Sequence, residues 1–402
     1  MEYVGTRTPR ALRSRLAEGS RLGAIVRQLD WVLLGAIGGL VAYGLWVIAG
    51  VTEHDVPDNE SYYLVRQAVF AGIGAVGLAA VALVNPTVYR RWWQALYWLT
   101  IGLMVVVFLA GPLTRGSKRW LDVGFFRFQP SEFGKLLFVL ALAAFLADRS
   151  KRIADRRTTL TTVGLALAPA LLVFLQPDIG TALVYGAALA AVLFVAGTRW
   201  LHLAALGAIL VAVLAVTLWI LPAAGVHVLK PYQQERLTGF TNPDSDPSGA
   251  TYNANQSITA VGAGGFDGRG VEGATQTNLD YLPEHATDFV FASLAEQRGF
   301  VGAALLLCLY LLVVWRGLRI VALARDPYSA IVAGGIVLAF LFQILVNVGM
   351  TMGIAPVTGI PLPFVSVGGS SMIANLVAMG VLLAIHARGR DERPSSPFST
   401  RA

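Results

Sequence analysis

The chain has 402 residues, of which 55% are apolar and 14% charged, with a formal net charge of +7 at pH 7. Soluble domains carry about 25% charged residues, and the mean hydropathy here is +0.63. The composition therefore excludes a soluble enzyme, a disordered scaffold and a collagen-like fibre. The single cysteine, Cys308, excludes a disulfide framework and a thiolate metal cluster. We predict an all-α integral membrane protein.

Ten apolar runs, in chain order, predict about ten membrane-spanning helices. The first follows a basic segment but has 20 uncharged residues, which is too long for the apolar stretch of a signal peptide. We therefore interpret it as an uncleaved first span. The runs are Trp31–Gly50, Ala68–Val84, Trp93–Ala110, Phe133–Ala147, Leu160–Leu175, Thr181–Gly197, Leu201–Leu221, Gly299–Trp315, Ala330–Gly353 and Met372–Ile385.

These spans divide the chain into five segments. The longest stretch without an apolar run, residues 222–287, contains many Gly, Asn, Gln, Ser and Thr residues as well as aromatic residues. A connection this long is functional or disordered, and its composition favours an ordered, glycine-bent loop over the membrane surface. The segments are a basic N-terminal segment (1–30), spans one to seven (31–221), the loop (222–287), spans eight to ten (288–388) and a C-terminal tail (389–402).

The arginines and lysines predict the orientation of the spans. With both termini in the cytoplasm, 21 of the 31 basic residues fall on the inner side, as the positive-inside rule requires. The arginine-rich tails are then placed to contact anionic lipid head groups, and the net charge gives no reason to expect a nucleic-acid partner. The long loop is extracytoplasmic in this orientation.

Several basic residues at the outer ends of the second to fourth spans oppose this bias. Charges at a membrane edge are costly and mark functional sites, and guanidinium groups suit phosphate. Snorkelling side chains are the alternative. We predict an anion-binding site on the outer face that includes Arg66, Arg115, Lys118, Arg119, Arg127 and Lys135.

Acidic residues in the same outer segments are candidates for acid–base chemistry. Glu132 and Lys135 are three residues apart at the start of a helix and can share one face, either as a bare ion pair or as part of a site. Asp178 interrupts an apolar stretch and is expected to cap a helix. Asp288 directly precedes an apolar helix, where it is either a cap or a general base, with Glu284 and His285 as competing candidates for the base.

Several long phrases, in order, resemble the SEDS family of shape, elongation, division and sporulation proteins (RodA, FtsW and SpoVE). The resemblance covers residues 31 to 385, and the stretch GATQTNLDYLPEHATDF is more similar to the RodA branch than to the FtsW branch. The matching phrases are RWL followed by FQPSEFGK, then QPDIGTA, NQSITAVGAGG, YLPEHATDF and NVGMTMGIAPVTGIPLPFVSVGGSS.

The resemblance implies a peptidoglycan glycosyltransferase of cell elongation. Such an enzyme polymerises lipid II into glycan strands on the outer face of the cytoplasmic membrane, with inversion and with undecaprenyl diphosphate as the leaving group. It also implies a class B penicillin-binding protein as the transpeptidase partner. The family's essential aspartate falls on Asp288, its Glu/Lys pair on Glu132 and Lys135, its loop tryptophan on Trp120 and its second-span arginine on Arg66. With Lys118 and Arg119, the cations would stabilise the departing diphosphate while Asp288 deprotonates the acceptor sugar.

The sequence departs from the family pattern at a few positions. Ala286 stands where the family has a histidine next to the threonine–aspartate, so a role for His285 is open, and Gln297 replaces an acidic residue. Arg269 stands in place of a lysine in the glycine-rich loop, and it joins Asp178, Glu284, His285 and Ser370 as a supporting candidate. The sequence leaves open whether a divalent cation binds at the diphosphate. The alternatives are a lipid II flippase, an FtsW-type division polymerase, and a scaffold for a partner polymerase.

Overall fold

The computed structural model describes residues 23, 27–112, 117–124, 126–226 and 251–391. Most of the basic N-terminal segment, Arg115, part of the long loop and most of the C-terminal tail lie outside these residues. The described chain is a helical bundle with one two-stranded β-ribbon.

Ten helices correspond one to one to the ten predicted spans. Within the described residues, nine of them are long and apolar enough to cross a membrane, and the sixth in order, Ile179–Val195, is a shorter apolar helix. They are α1 (Trp31–Val51), α2 (Tyr62–Leu83), α4 (Trp93–Ala110), α5 (Pro130–Ala147), α6 (Arg156–Leu175), α7 (Ile179–Val195), α8 (Trp200–Ala223), α11 (Val290–Leu323), α12 (Pro327–Thr351) and α13 (Gly369–Asp391). The prediction of an all-α, multi-pass membrane protein is confirmed.

The remaining elements are short and lie between these helices. They are α3 (Pro86–Arg91), β1 (Leu121–Val123), β2 (Phe126–Phe128), a 3₁₀ turn (Ser150–Arg152), α9 (Tyr252–Gly264) and α10 (Thr275–Asn278). The strands form an antiparallel ribbon, and a π-helical segment (Val216–Ile220) interrupts α8. We call the end of the bundle that carries the ribbon, α9 and α10 the loop end.

Local sequence signals explain where several helices start. Pro130 stands at the first position of α5, where its missing N–H is not needed. The carboxylate of Asp178 accepts a hydrogen bond from the backbone N–H of Thr181 (3.1 Å) and caps α7, as predicted. Asp30 caps α1 and Asp326 caps α12 in the same way.

The centre of the bundle is formed by α5, α12 and α13, whose residues are mostly buried, whereas α8 is almost fully exposed at the periphery. Small residues allow the close approach of α2 and α13. A Cβ atom at Gly380 would lie 2.6 Å from the carbonyl oxygen of Leu78, and one at Gly74 would lie 2.5 Å from the Leu376 side chain. Close backbone packing at small residues is the usual way in which membrane helices associate.

The described part of the long loop, residues 251–287, is ordered and packs on the first turns of α11. Buried Glu296 accepts hydrogen bonds from the backbone N–H groups of Gln276 (2.9 Å) and Thr277 (3.0 Å). Helix α11 bends at Gly299, where φ is 63°, because the backbone of Gly268 packs directly against that position. The helix therefore starts nine residues before the predicted eighth span, and its first two turns belong to the loop end.

Candidate active site

A chamber of about 380 Å³ opens at the loop end. Its walls come from five segments that are distant in the sequence. These are the ribbon with the residues that flank it, the first turn of α5, the turn between α6 and α7, residues 284–288, and residues 359–371, which include the start of α13. The structure brings eight predicted site residues together on these walls: Arg119, Trp120, Arg127, Glu132, Asp178, Glu284, Asp288 and Ser370.

Asp288 lies in a turn, residues 284–288, that is fixed through its backbone. Glu284 adopts a left-handed conformation (φ 56°), and its carbonyl accepts hydrogen bonds from the N–H groups of Thr287 and Phe289. The next four carbonyls accept hydrogen bonds from other parts of the fold. The donors are Ser293 Oγ to His285 (3.3 Å), Val367 N to Ala286 (2.9 Å), Ser366 Oγ to Thr287, and Asn347 Nδ2 to Asp288 (2.8 Å).

Residues of α2 and α12 hold this turn and the segment before α13 that contacts it. Asn347 is fully buried and bridges the carbonyls of Asp288 and Ile360, each at 2.8 Å. Gln67, also buried, donates to the carbonyl of Ser366 (3.0 Å) and accepts from the N–H of Gly368 (3.1 Å). Neither amide is among the predicted site residues, since isolated Asn and Gln residues in apolar runs do not reveal their partners.

Glu132 and Lys135 form a buried ion pair, as the spacing predicted. The Lys135 Nζ donates to both carboxylate oxygens of Glu132 (2.9 and 2.8 Å) and to Oε1 of Gln343 on α12 (3.0 Å). Its three protons are therefore matched by three acceptors. Glu132 lines the chamber, whereas Lys135 lies behind it, in a smaller cleft between α5, α12 and α13. The ammonium group thus acts on the chamber through Glu132.

Arg119 lines the chamber, but its guanidinium is held by the turn between α6 and α7. It donates to the carbonyls of Gln176 (3.2 Å) and Pro177, and it lies 3.7 Å from the carboxylate of Asp178. Gln129 Nε2 contacts the other oxygen of Asp178 (3.4 Å). Arg119 consequently contributes a fixed positive charge at one edge of the chamber.

Arg127 on β2 is a second guanidinium in the chamber wall. Its side chain makes no hydrogen bond, ion pair or ring contact with any residue that the structure describes, whereas its carbonyl accepts from Ser370 Oγ (3.0 Å). Ser370 Oγ in turn accepts from the N–H of Gln129 (2.9 Å), which joins the ribbon to the start of α13. The sequence showed Arg127 as an outer charge but gave no reason to prefer it over its neighbours.

Besides Lys135, four predicted residues that the structure describes do not line the chamber. Arg66 stays on the face of α2 and contacts Tyr62, with its guanidinium 5.3 Å from the ring centre. Lys118 precedes Arg119 but is not part of the wall. His285 is not part of the wall and pairs with Asp55, and Arg269 donates to the carbonyl of Ala263 in the α9–α10 region (3.0 Å). Among the residues described, no group of three or more His, Cys, Asp or Glu side chains could hold a metal ion.

Comparisons with known proteins agree with this architecture. Residues 27–391 match the model of the FtsW, RodA and SpoVE family, described as cell cycle proteins. The chain is 37% identical over 359 residues to the peptidoglycan glycosyltransferase MrdB of Escherichia coli K12, covering 89% of this chain and 94% of that protein. It is 38% identical over 363 residues to the stage V sporulation protein E of Bacillus subtilis, covering 89% and 95%.

Solved structures give the same result. A chain in a peptidoglycan synthase complex, described as coordinating polymerization and crosslinking, superposes with a TM-score of 0.77 at 31% identity, covering 90% of this chain and 99% of that one. The rod shape determining protein RodA of Thermus thermophilus superposes with a TM-score of 0.67 at 28% identity, covering 91% and 98%. The resemblance seen in the sequence is confirmed, and the chain belongs to the FtsW, RodA and SpoVE family.

Proposed function

We propose that this chain polymerises lipid II into glycan strands in the chamber at the loop end. The chain is a peptidoglycan glycosyltransferase, the activity for which its relative MrdB is named. The observation that carries the proposed site is the shared wall of the chamber, where the partly buried carboxylate of Asp288 faces the same space as Arg119 and Arg127. Sugar transfer from a diphosphate carrier needs both a base and fixed cations.

Asp288 is the general base of the proposed reaction. Its carboxylate takes the proton of the acceptor sugar's 4-hydroxyl, and that oxygen forms a bond to the anomeric carbon of the donor. The bond from this carbon to the diphosphate oxygen breaks, and its electron pair leaves with the diphosphate. One displacement inverts the configuration. A positioned carboxylate base contributes about 100- to 10,000-fold to the rate.

Arg127 is the strongest candidate to contact the diphosphate. Arg119 and Lys135 are held by protein acceptors, whereas the Arg127 guanidinium has no such partner in the described part of the chain. The start of α13, at Gly369 and Ser370, lines the same space, and the N–H groups at a helix N-terminus favour an anion. Charge that develops on the leaving group is stabilised by such fixed donors.

A divalent cation would bind mainly to the diphosphate oxygens, and polymerisation with and without a chelator tests for it.

The location and partners follow from the same reasoning. The positive-inside rule places both termini and 21 of the 31 basic residues on the cytoplasmic side. In this orientation the loop end and the chamber lie on the outer face of a bacterial cytoplasmic membrane. A class B penicillin-binding protein is the proposed transpeptidase partner, supported by the similarity to a chain of a complex that couples polymerization to crosslinking. Within the elongation machinery the growing strand passes from this chain to that partner.

Purified protein in detergent, incubated with lipid II, tests the proposal by the length of the glycan products. Wild-type protein should give strands, and Asp288→Asn should fold normally yet give none. Detergent has no two sides, so a flippase or a scaffold gives no product. Near-normal strand synthesis by Asp288→Asn would move the base to another residue, and an inactive wild-type protein would refute the polymerase.

A further inference from the structure

We propose that His285 and Asp55 form a charged pair that positions the turn carrying Glu284 and Asp288, an inference that rests on the proposed function. The Nε2 atom of His285 lies 2.9 Å from Oδ1 of Asp55, in the connection between α1 and α2. The His285 side chain is buried, with 10% of it exposed, and the Asp55 side chain is 18% exposed. The contact joins positions 230 residues apart.

The pair links the turn to the α1–α2 connection, and neither of its residues lines the chamber. Glu284 and Asp288 line the chamber, whereas the His285 side chain reaches the α1–α2 connection. The four donors that fix the carbonyls of residues 285–288 come from α11, α12 and the segment before α13. The His285–Asp55 contact anchors the turn to a further element, the α1–α2 connection. It acts at His285, the residue next to Glu284.

The charged groups around His285 favour the imidazolium. Burial lowers the pKa of His285, but the hydrogen bond to Asp55, the charges of Asp55 and Asp280, and a backbone hydrogen bond at Leu282 outweigh it, so the pKa is raised above its usual value. Asp280 lies 3.9 Å from Nδ1 and is 88% exposed. From α2, Tyr63 is within electrostatic reach of both Asp55 and Glu284.

The sign of the pH effect follows from that raised pKa. The contribution of the pair is fully present below the unfolded-state pKa of histidine, about 6.5, and is lost as the pH rises through the higher pKa of the folded protein. The turn then loses a charge-assisted anchor while the diphosphate contacts stay in place. We expect kcat to fall on the alkaline side and KM for lipid II to stay unchanged.

Three variants separate charge from packing. His285→Gln keeps a hydrogen-bond donor without charge, His285→Arg keeps a charge at every pH, and Asp55→Asn keeps an oxygen acceptor. Purified proteins are assayed for kcat and KM of lipid II polymerisation from about pH 5 to 9. His285→Gln should lower kcat about tenfold at the acidic end, with KM within about twofold, and should lack the alkaline fall. His285→Arg should keep kcat and also lack the fall.

Asp55→Asn should move the alkaline fall to lower pH. Asp280→Asn is the matched control, because its exposed carboxylate is screened by solvent, and it should shift the profile less than Asp55→Asn. Thermal unfolding and gel filtration at each pH check the fold. A wild-type kcat and pH profile in both His285→Gln and Asp55→Asn would overturn the positioning role. Absence of polymerisation by wild-type protein at every pH would instead overturn the proposed function.

Discussion

Replacing Lys135 with methionine tests whether the buried Glu132–Lys135 pair supports the chamber. The side chain of Lys135 is 11% exposed and that of Glu132 is 3% exposed. Removing one partner of a buried pair leaves an uncompensated charge and costs about 3–5 kcal/mol. We expect the upper part of that range, because Lys135→Met also removes the donor to Gln343 (3.0 Å).

The same pair predicts strong coupling between the two positions. In the double variant Glu132→Gln, Lys135→Met, no buried charge is left, so we expect the free energy of unfolding to recover most of the loss. The matched control is the exposed pair of Arg90 and Asp148, with side chains 43% and 46% exposed. Arg90→Met should cost no more than about 1 kcal/mol, because solvent screens a surface pair.

The assay is equilibrium unfolding in mixed detergent micelles, together with polymerisation of lipid II by the folded variants. The double variant should be stable but should make strands poorly, since the charged carboxylate that lines the chamber is gone. A loss below about 1 kcal/mol for Lys135→Met would refute the buried-pair reasoning. Full activity of the stable double variant would reduce the pair to a structural element.

Two further substitutions test the chamber itself. Arg127→Ala should lower kcat about 100- to 1,000-fold, the usual effect of removing one donor at a developing charge, while Arg127→Lys retains part of the rate; steady-state kinetics with lipid II measure both. Asn347→Leu should cost about 1–3 kcal/mol for each of the two carbonyls that lose their donor and should lower kcat by displacing Asp288. Thermal unfolding separates these two effects, and unchanged values for both would contradict the role assigned to Asn347.

The sequence by itself determined the features that depend on neighbouring residues. The ten apolar runs predicted ten spans, because apolar residues sustained over most of the about 20 residues that cross a bilayer indicate a membrane helix. A spacing of three residues at a helix start predicted the contact of Glu132 with Lys135, and the position of Asp178 before an apolar run predicted a cap. These are local effects of helix geometry.

Only the tertiary structure decided which polar groups face the chamber. A membrane helix is apolar all round, so its sequence does not show which side faces its neighbours. Lys135 was expected to face the diphosphate but turns towards Gln343 on α12, whereas Arg127 lines the chamber. The contact of His285 with Asp55 spans 230 residues and has no signature in spacing. Packing between distant helices, where small residues permit close approach, sets these partners.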